Sequence, residues 1–132
     1  MSAKENRAAT ERVFKKLATG DLTAAQSVLQ TNLKRGAESS AKLAKTVFPD
    51  IKVHLEDTVA EGDKVVARWT ATGTHKGDGK HALFGTVKPT GKPFRIMGIT
   101  ILRFKDGHVV ETWGVTDELG VARQLGVVGQ RK

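Results

Sequence analysis

Between Ser2 and Ala18 the apolar residues Ala9, Val13, Phe14 and Leu17 return at the three- and four-residue spacing of one helix face. Thr19-Gly20-Asp21 supplies a stop and a new N-cap, and a second helix is predicted from Leu22 to about Leu29. A third is predicted from Ser39 to Val47, with Leu43 and Val47 on one face, and Pro49 after Phe48 ends it. From Ile51 the period changes to two: Ile51, Val53 and Leu55 alternate with Lys52, His54 and Glu56, the pattern of a half-buried strand. Glu61-Gly62-Asp63 reads as a turn into a strand from Lys64 to about His75. Val65, Ala67, Trp69, Ala71, Gly73 and His75 share one of its faces, and Val66, Arg68, Thr70, Thr72 and Thr74 the other.

Lys76 to Gly91 is rich in Gly, Lys, Thr and Pro and is predicted to be a long loop at the rim of a pocket. The strand from Pro93 to Phe104 is apolar on both faces, Phe94, Ile96, Leu102 and Phe104 on one side and Met97, Ile99 and Ile101 on the other, so cover is expected on both. Asp106-Gly107 marks a hairpin to a return strand, His108 to Thr116. Asp117 opens a C-terminal helix that buries Leu119, Val121, Ala122 and Leu125. Helices followed by an antiparallel sheet make an α+β domain, a curved sheet wrapped around its helices with a cavity at the open end.

The length of 132 residues and an apolar content of 39% fit one domain spanning 1–132. The first ten residues are polar, and no apolar run approaches the roughly 18 residues of a membrane span, so a soluble, cytoplasmic protein with no membrane partner is expected. There is no cysteine, which excludes disulfides and thiolate chemistry, and no tyrosine, which excludes a phenol donor to a developing enolate. The formal charge of +8 is carried by scattered residues such as Lys15, Lys34, Lys45, Lys88 and Arg131, without interleaved aromatics. That pattern reads as a solvated basic surface, and no nucleic-acid partner is expected. No His/Asp/Glu cluster has metal-ligand spacing and no Gly-rich strand-to-helix turn marks a nucleotide site, so neither a metal nor a cofactor is expected.

Several segments together resemble one family. Phe48-Pro-Asp-Ile-Lys-Val, Ala60-Glu-Gly-Asp-Lys-Val-Val-Ala-Arg-Trp-Thr, Gly73-Thr-His, Pro89-Thr-Gly-Lys, Gly98-Ile-Thr-Ile, Asp106-Gly-His-Val-Val-Glu-Thr-Trp, Asp117-Glu-Leu-Gly and Arg123-Gln-Leu-Gly follow in unbroken order. They resemble the SnoaL-like polyketide cyclase and ester cyclase family of the NTF2-like superfamily. The resemblance implies a cone-shaped barrel with N-terminal helices packed in a curved antiparallel sheet, one enclosed pocket, and a homodimer formed through the open sheet face. It departs at Leu29 to Ala37, where family members often carry an aspartate, an aromatic residue and a histidine. Here there is neither histidine nor aromatic.

In the polyketide cyclases of this family an aspartate just before the last helix is the general acid/base of an intramolecular aldol closure, and Asp117 matches it. At the mouth of an apolar pocket the charged form of a carboxylate is disfavoured, which poises it to exchange protons with a carbonyl compound. Asp is also a preferred N-cap, and Asp117 can simply cap the helix from Glu118. The resemblance places His75 near the cavity, where it can bond a substrate carbonyl or hold Asp117; as a strand-end histidine it can instead satisfy loop backbone groups. Trp69 and Trp113, in a chain with five other aromatics, are pocket wall or sheet core. Met97 and Arg103 share a face of their strand and are candidate substrate contacts, Arg103 as either an inward cation that polarises a carbonyl or a salt-bridged edge residue. The expected ligand is a small apolar carbonyl compound; a non-catalytic ligand-binding or interaction domain is the alternative. Two related activities lack their residues: Arg68 is followed by Trp69-Thr70 rather than by the aspartate of limonene-epoxide hydrolases, and ketosteroid isomerases need a tyrosine.

Overall fold

The computed structural model describes residues 2–77, 79–81 and 85–126. Its first helix, α1 (Ala3–Leu17), starts at a capping box: the Glu5 N–H donates to Ser2 Oγ at 3.1 Å and the Ser2 N–H to Glu5 Oε1 at 3.2 Å. Asn6, Ala9, Thr10, Val13 and Phe14 form its buried face.

The next two helices differ from the sequence pattern. Instead of a helix to Leu29 there is a single 3₁₀ turn, Ala24–Ser27. The chain leaves it because Val28 and Gln30 bond another strand: the Val109 N–H donates to the Val28 carbonyl at 2.7 Å and the Gln30 N–H to the Val109 carbonyl at 2.9 Å. Released from that contact, the chain enters α2 (Thr31–Val47) eight residues earlier than predicted, so the segment Leu29 to Ala37 becomes mostly helix. Its inward positions are Leu33, Ala37, Ala41 and Ala44, whereas Leu43 is 50% exposed. No residue of α2 is fully buried.

Strands β1 (Lys52–Glu61) and β2 (Lys64–Thr74) form the predicted hairpin. A small antiparallel pair, β3 (Gly79–His81) and β4 (Gly85–Val87), occupies part of the expected long loop; its positions 78 and 82–84 lie outside the described residues. Strands β5 (Pro93–Lys105) and β6 (His108–Thr116) are joined at Asp106-Gly107, both with positive φ (51° and 81°), as a two-residue hairpin turn requires. Helix α3 (Glu118–Leu125) follows, closed by Gly126 in the left-handed region. The order of the main sheet is β1-β2-β5-β6, antiparallel throughout, and among the described residues it does not close into a barrel. The architecture is α+β.

One face of this sheet is covered by helices. Ala9, Leu29, Val65, Phe104 and Val109 pack at one end, and Ile51, Ala71, Phe94 and Leu125 at the other. The opposite face, expected to be covered, is open: Met97, Ile99, Trp113 and Val115 are 42–70% exposed. Two bulges set these faces. In β1 the pairing skips Glu56 and places Asp57 across from Arg68, where they form a bidentate pair on the outer face at 3.0 and 3.1 Å. In β6 it skips Val110, so that Val109 faces the core while Trp113 and Val115 face outward.

The far end of β2 is tied down twice. Asp50 accepts the Thr74 N–H and the Thr74 hydroxyl, both at 2.8 Å. Lys76 and Gly77 both donate their N–H groups to the Val47 carbonyl, at the C-terminus of α2. A Cβ at Gly77 would overlap the Thr46 carbonyl oxygen. Gly77→Ala is therefore expected to force backbone apart and cost about 1–3 kcal/mol, read as a lowered denaturant midpoint at unchanged m-value.

The backbone and side-chain hydrogen bonds from Thr74 hold the Asp50 carboxyl below its ordinary value. A lowered folded-state value means that the ionised form stabilises the fold. That contribution is complete above the ordinary carboxylate range and disappears as pH falls through the lowered value. The stability gap between the unsubstituted chain and Asp50→Asn is expected to narrow as pH falls from about 7 to about 2, measured by urea unfolding; a gap independent of pH would exclude this linkage.

Candidate functional site

The helix-covered face holds a pocket of about 330 Å³, open on one side. Its existence follows from α2, which brings only alanines and Ser40 to this region and so stands off the sheet without filling the space beneath it. Ala41 and Ala44 form the helical side. Ile51, Val53, Ala71 and Ile96 line the sheet side, and Val121 of α3 closes one end. Three aromatic residues complete the wall: Trp69, and the pair Phe48 and Phe94, whose rings lie 4.1 Å apart at 38°. Such a pocket accepts apolar surface and offers few polar groups, so binding would rest on desolvation. Two other depressions, of about 370 and 540 Å³, are lined mostly by polar and charged residues.

Trp69 owes its position to two residues to which the sequence pattern assigns no role at the site, Gly98 and Thr100. Its cross-strand partner is Gly98, which is buried, and the indole lies flat over it: a Cβ at Gly98 would sit 2.6 Å from two of the ring carbons. The indole Nε1–H donates to Thr100 Oγ1 at 3.0 Å, which fixes the ring along β5. The signal available in the sequence was a lone glycine inside an otherwise apolar strand, the mark of a close approach.

His75 is 1% exposed and sits behind the pocket, its ring 5.9 Å from that of Phe48. Both its main-chain groups bond the segment before β5: its N–H donates to the Lys92 carbonyl at 2.9 Å and its carbonyl accepts the Gly91 N–H at 2.8 Å. The Thr90 N–H donates to Nδ1 at 3.2 Å, so Nδ1 is an acceptor and the neutral ring carries its proton on Nε2. Thr90 Oγ1 lies 3.0 Å from the same nitrogen. The structure thus places His75 where it satisfies loop backbone groups, and no bond joins it to Asp117.

Asp117 is exposed and is the N-cap of α3, its Oδ1 accepting the Gly120 N–H at 2.9 Å. It does not line the pocket, but it lies one helical turn before Val121, which does. The Asp117 N–H donates to the Met97 carbonyl at 2.9 Å, fixing the end of β6 against β5.

Met97, Arg103 and Trp113 are on the outer face, and the expectation that they line the pocket is corrected here. Met97 pairs with Thr70 and is 52% exposed. Arg103 is the salt-bridged residue rather than an inward cation: its Nε reaches Glu111 Oε1, across the strand pair, at 2.9 Å. Trp113 pairs with Ile101 and is 43% exposed, because the bulge at Val110 reverses the alternation that had put it with Val109. His54 and His108 are exposed, as their polar positions implied.

Among the described residues no group of three or more His, Asp or Glu is placed to hold a metal ion, and no helix is long and apolar enough to cross a membrane. Solved structures resemble this one over nearly its whole length. AclR from Streptomyces galilaeus, proposed to be a hydroxylase, superposes with a TM-score of 0.83 at 24% identity, over 99% of this chain and 87% of that one. TsrD from Streptomyces laurentii gives 0.82 at 24% identity, over 97% and 99%. IdmH from Streptomyces antibioticus, proposed to be a polyketide cyclase, gives 0.73 at 24% identity, over 92% and 98%. No curated protein matches the chain in sequence. The family model for SnoaL-like polyketide cyclases matches residues 7–125, from within α1 to the end of α3, so this chain belongs to the SnoaL-like polyketide cyclase family.

Proposed function

We propose that this chain binds a small, largely apolar carbonyl compound in the pocket under α2 and that Asp117 exchanges a proton at the carbon α to the carbonyl, giving an aldol-type closure or isomerisation without a cofactor. The observation that supports the reading is the junction of β6 and α3: Val121 forms pocket wall, and Asp117 lies one helical turn before it. Asp117-Glu-Leu-Gly also stands where the family's acid/base aspartate is expected. A carbonyl group left at the mouth, with the apolar body inside, would be within the solvent-accessible zone where the carboxylate sits.

A second reading, a ligand-binding module without turnover, is favoured by one observation. Among the described residues no acidic or histidine side chain lines the pocket, and the Asp117 carboxylate already bonds the Gly120 N–H. Asp117→Asn separates the two, because Asn caps a helix as well as Asp and the fold should be kept. Exchange of the methyl protons of 2-acetylnaphthalene into D₂O, followed by NMR, is expected to be faster with the protein than in buffer and to fall about 100-fold in Asp117→Asn. Binding of the ketone with no acceleration by the unsubstituted protein would leave the binding module.

The outer face carries a further proposal, a homodimer. Ile99 and Val115 are cross-strand partners, and Trp113 shares the face of Val115 on β6, so their exposed apolar surfaces adjoin. Val115 is 70% exposed. Sedimentation is expected to show a dimer for the unsubstituted chain and a monomer for Val115→Lys, while a monomeric unsubstituted chain would reject the proposal.

A further inference from the structure

The seat of Trp69 on Gly98 has a use beyond packing. Gly98 and Trp69 face each other on neighbouring strands, both toward the helix-covered side, and the indole rests on the glycine backbone with no intervening side chain. The other side of the ring is pocket wall. The sheet backbone blocks movement downward, so any side chain at position 98 can be accommodated only by lifting the indole into the cavity. Ring carbons 2.6 Å from an added Cβ would have to retreat by about 1 Å or more to reach ordinary carbon–carbon contact. The hydrogen bond from Nε1 to Thr100 Oγ1 holds the ring down in its present, lowest position. Phe94 rests in a similar way on its cross-strand partner Gly73, where an added Cβ would meet Cε1 at 2.8 Å, whereas Ala71, Val53 and Ile96 have no glycine opposite them.

We infer that Gly98 is a specificity-determining residue of this pocket: by letting Trp69 lie flat it sets the depth of the cavity at the indole and hence the size of the apolar body that enters there. The inference rests on the pocket reading given under Proposed function and adds a residue that fixes ligand size. It does not depend on whether Asp117 is catalytic.

Isothermal titration calorimetry with two ketones, acetophenone with one ring and 2-acetylnaphthalene with two, tests it. The unsubstituted protein is expected to bind both, the naphthyl ketone more tightly. Gly98→Ala is expected to lower the naphthyl-to-phenyl affinity ratio by about tenfold, the scale on which apolar pockets discriminate small changes of size. An unchanged ratio in a folded Gly98→Ala protein overturns the inference. Should that variant fail to fold, Trp69→Phe tests the same point from the other side: the smaller ring deepens the floor and is expected to raise the ratio, and a ratio that stays the same overturns the inference. If the unsubstituted protein binds neither ketone, the pocket reading fails first, and with it the premise on which Gly98 was chosen.

Discussion

Val109 is held on both of its main-chain groups by the Val28–Gln30 segment, and most of the architecture depends on that grip. The two hydrogen bonds, at 2.7 and 2.9 Å, stop the 3₁₀ turn, align Leu29 beside β6, and release the chain into α2 at Thr31. They also cover the start of β6, an edge strand whose free N–H and C=O groups would otherwise face solvent. Val109 itself is fully buried among Ala9, Leu29, Val65 and Phe104. With Val109 fixed inward, the extra residue in β6 falls at Val110, and every later residue of that strand changes face.

The pocket follows from what α2 lacks. A helix with leucines at its inward positions would have settled onto β1 and β2 and filled the space; Ala41 and Ala44 leave it open. Gly98 makes the same contribution from the sheet side by allowing the indole of Trp69 to lie low. An apolar cavity of this kind is kept by small residues placed between large ones, and neighbouring elements must be rigid for it to persist. The bonds of Asp50 to Thr74, of Gly77 to Val47 and of His75 to the 90–92 segment supply that rigidity around its far end.

Charge is arranged away from this cavity. Arg68 with Asp57 and Arg103 with Glu111 lie on the outer face, flanking the exposed Ile99, Trp113 and Val115. Partly exposed pairs of this kind contribute little to stability, but they place polar borders around an apolar strip. The two faces of one sheet are thus chemically distinct: the covered face offers an apolar cavity of limited depth, and the other an apolar strip with paired charges at its sides.

The elements whose signals are local were legible in the chain: α1 with its Ser2 cap, the β1–β2 hairpin, the Asp106-Gly107 turn, and a long β5 apolar on both faces. Trp69 was likewise assignable, because strict alternation along β2 carries it to the same face as Val65, Ala67 and Ala71. Trp113 was not, since one bulged residue, Val110, inverts the alternation of β6 and nothing in a period-two pattern records where a register shift will fall. Arg103 and Met97 were sorted onto one face of β5 by alternation, but a strand apolar on both faces does not say which face will be covered. The length of α2 escaped for a related reason: after Leu33 its inward residues are Ala37, Ala41 and Ala44, too weakly apolar to reveal a helix face that is only half covered. Sequence determined which segments form strands and helices, because hydrophobic period and turn chemistry act over a few neighbouring residues. Tertiary structure decided which sheet face became pocket and which stayed open, because that choice is made by contacts between residues as distant as Val28 and Val109 or Trp69 and Gly98.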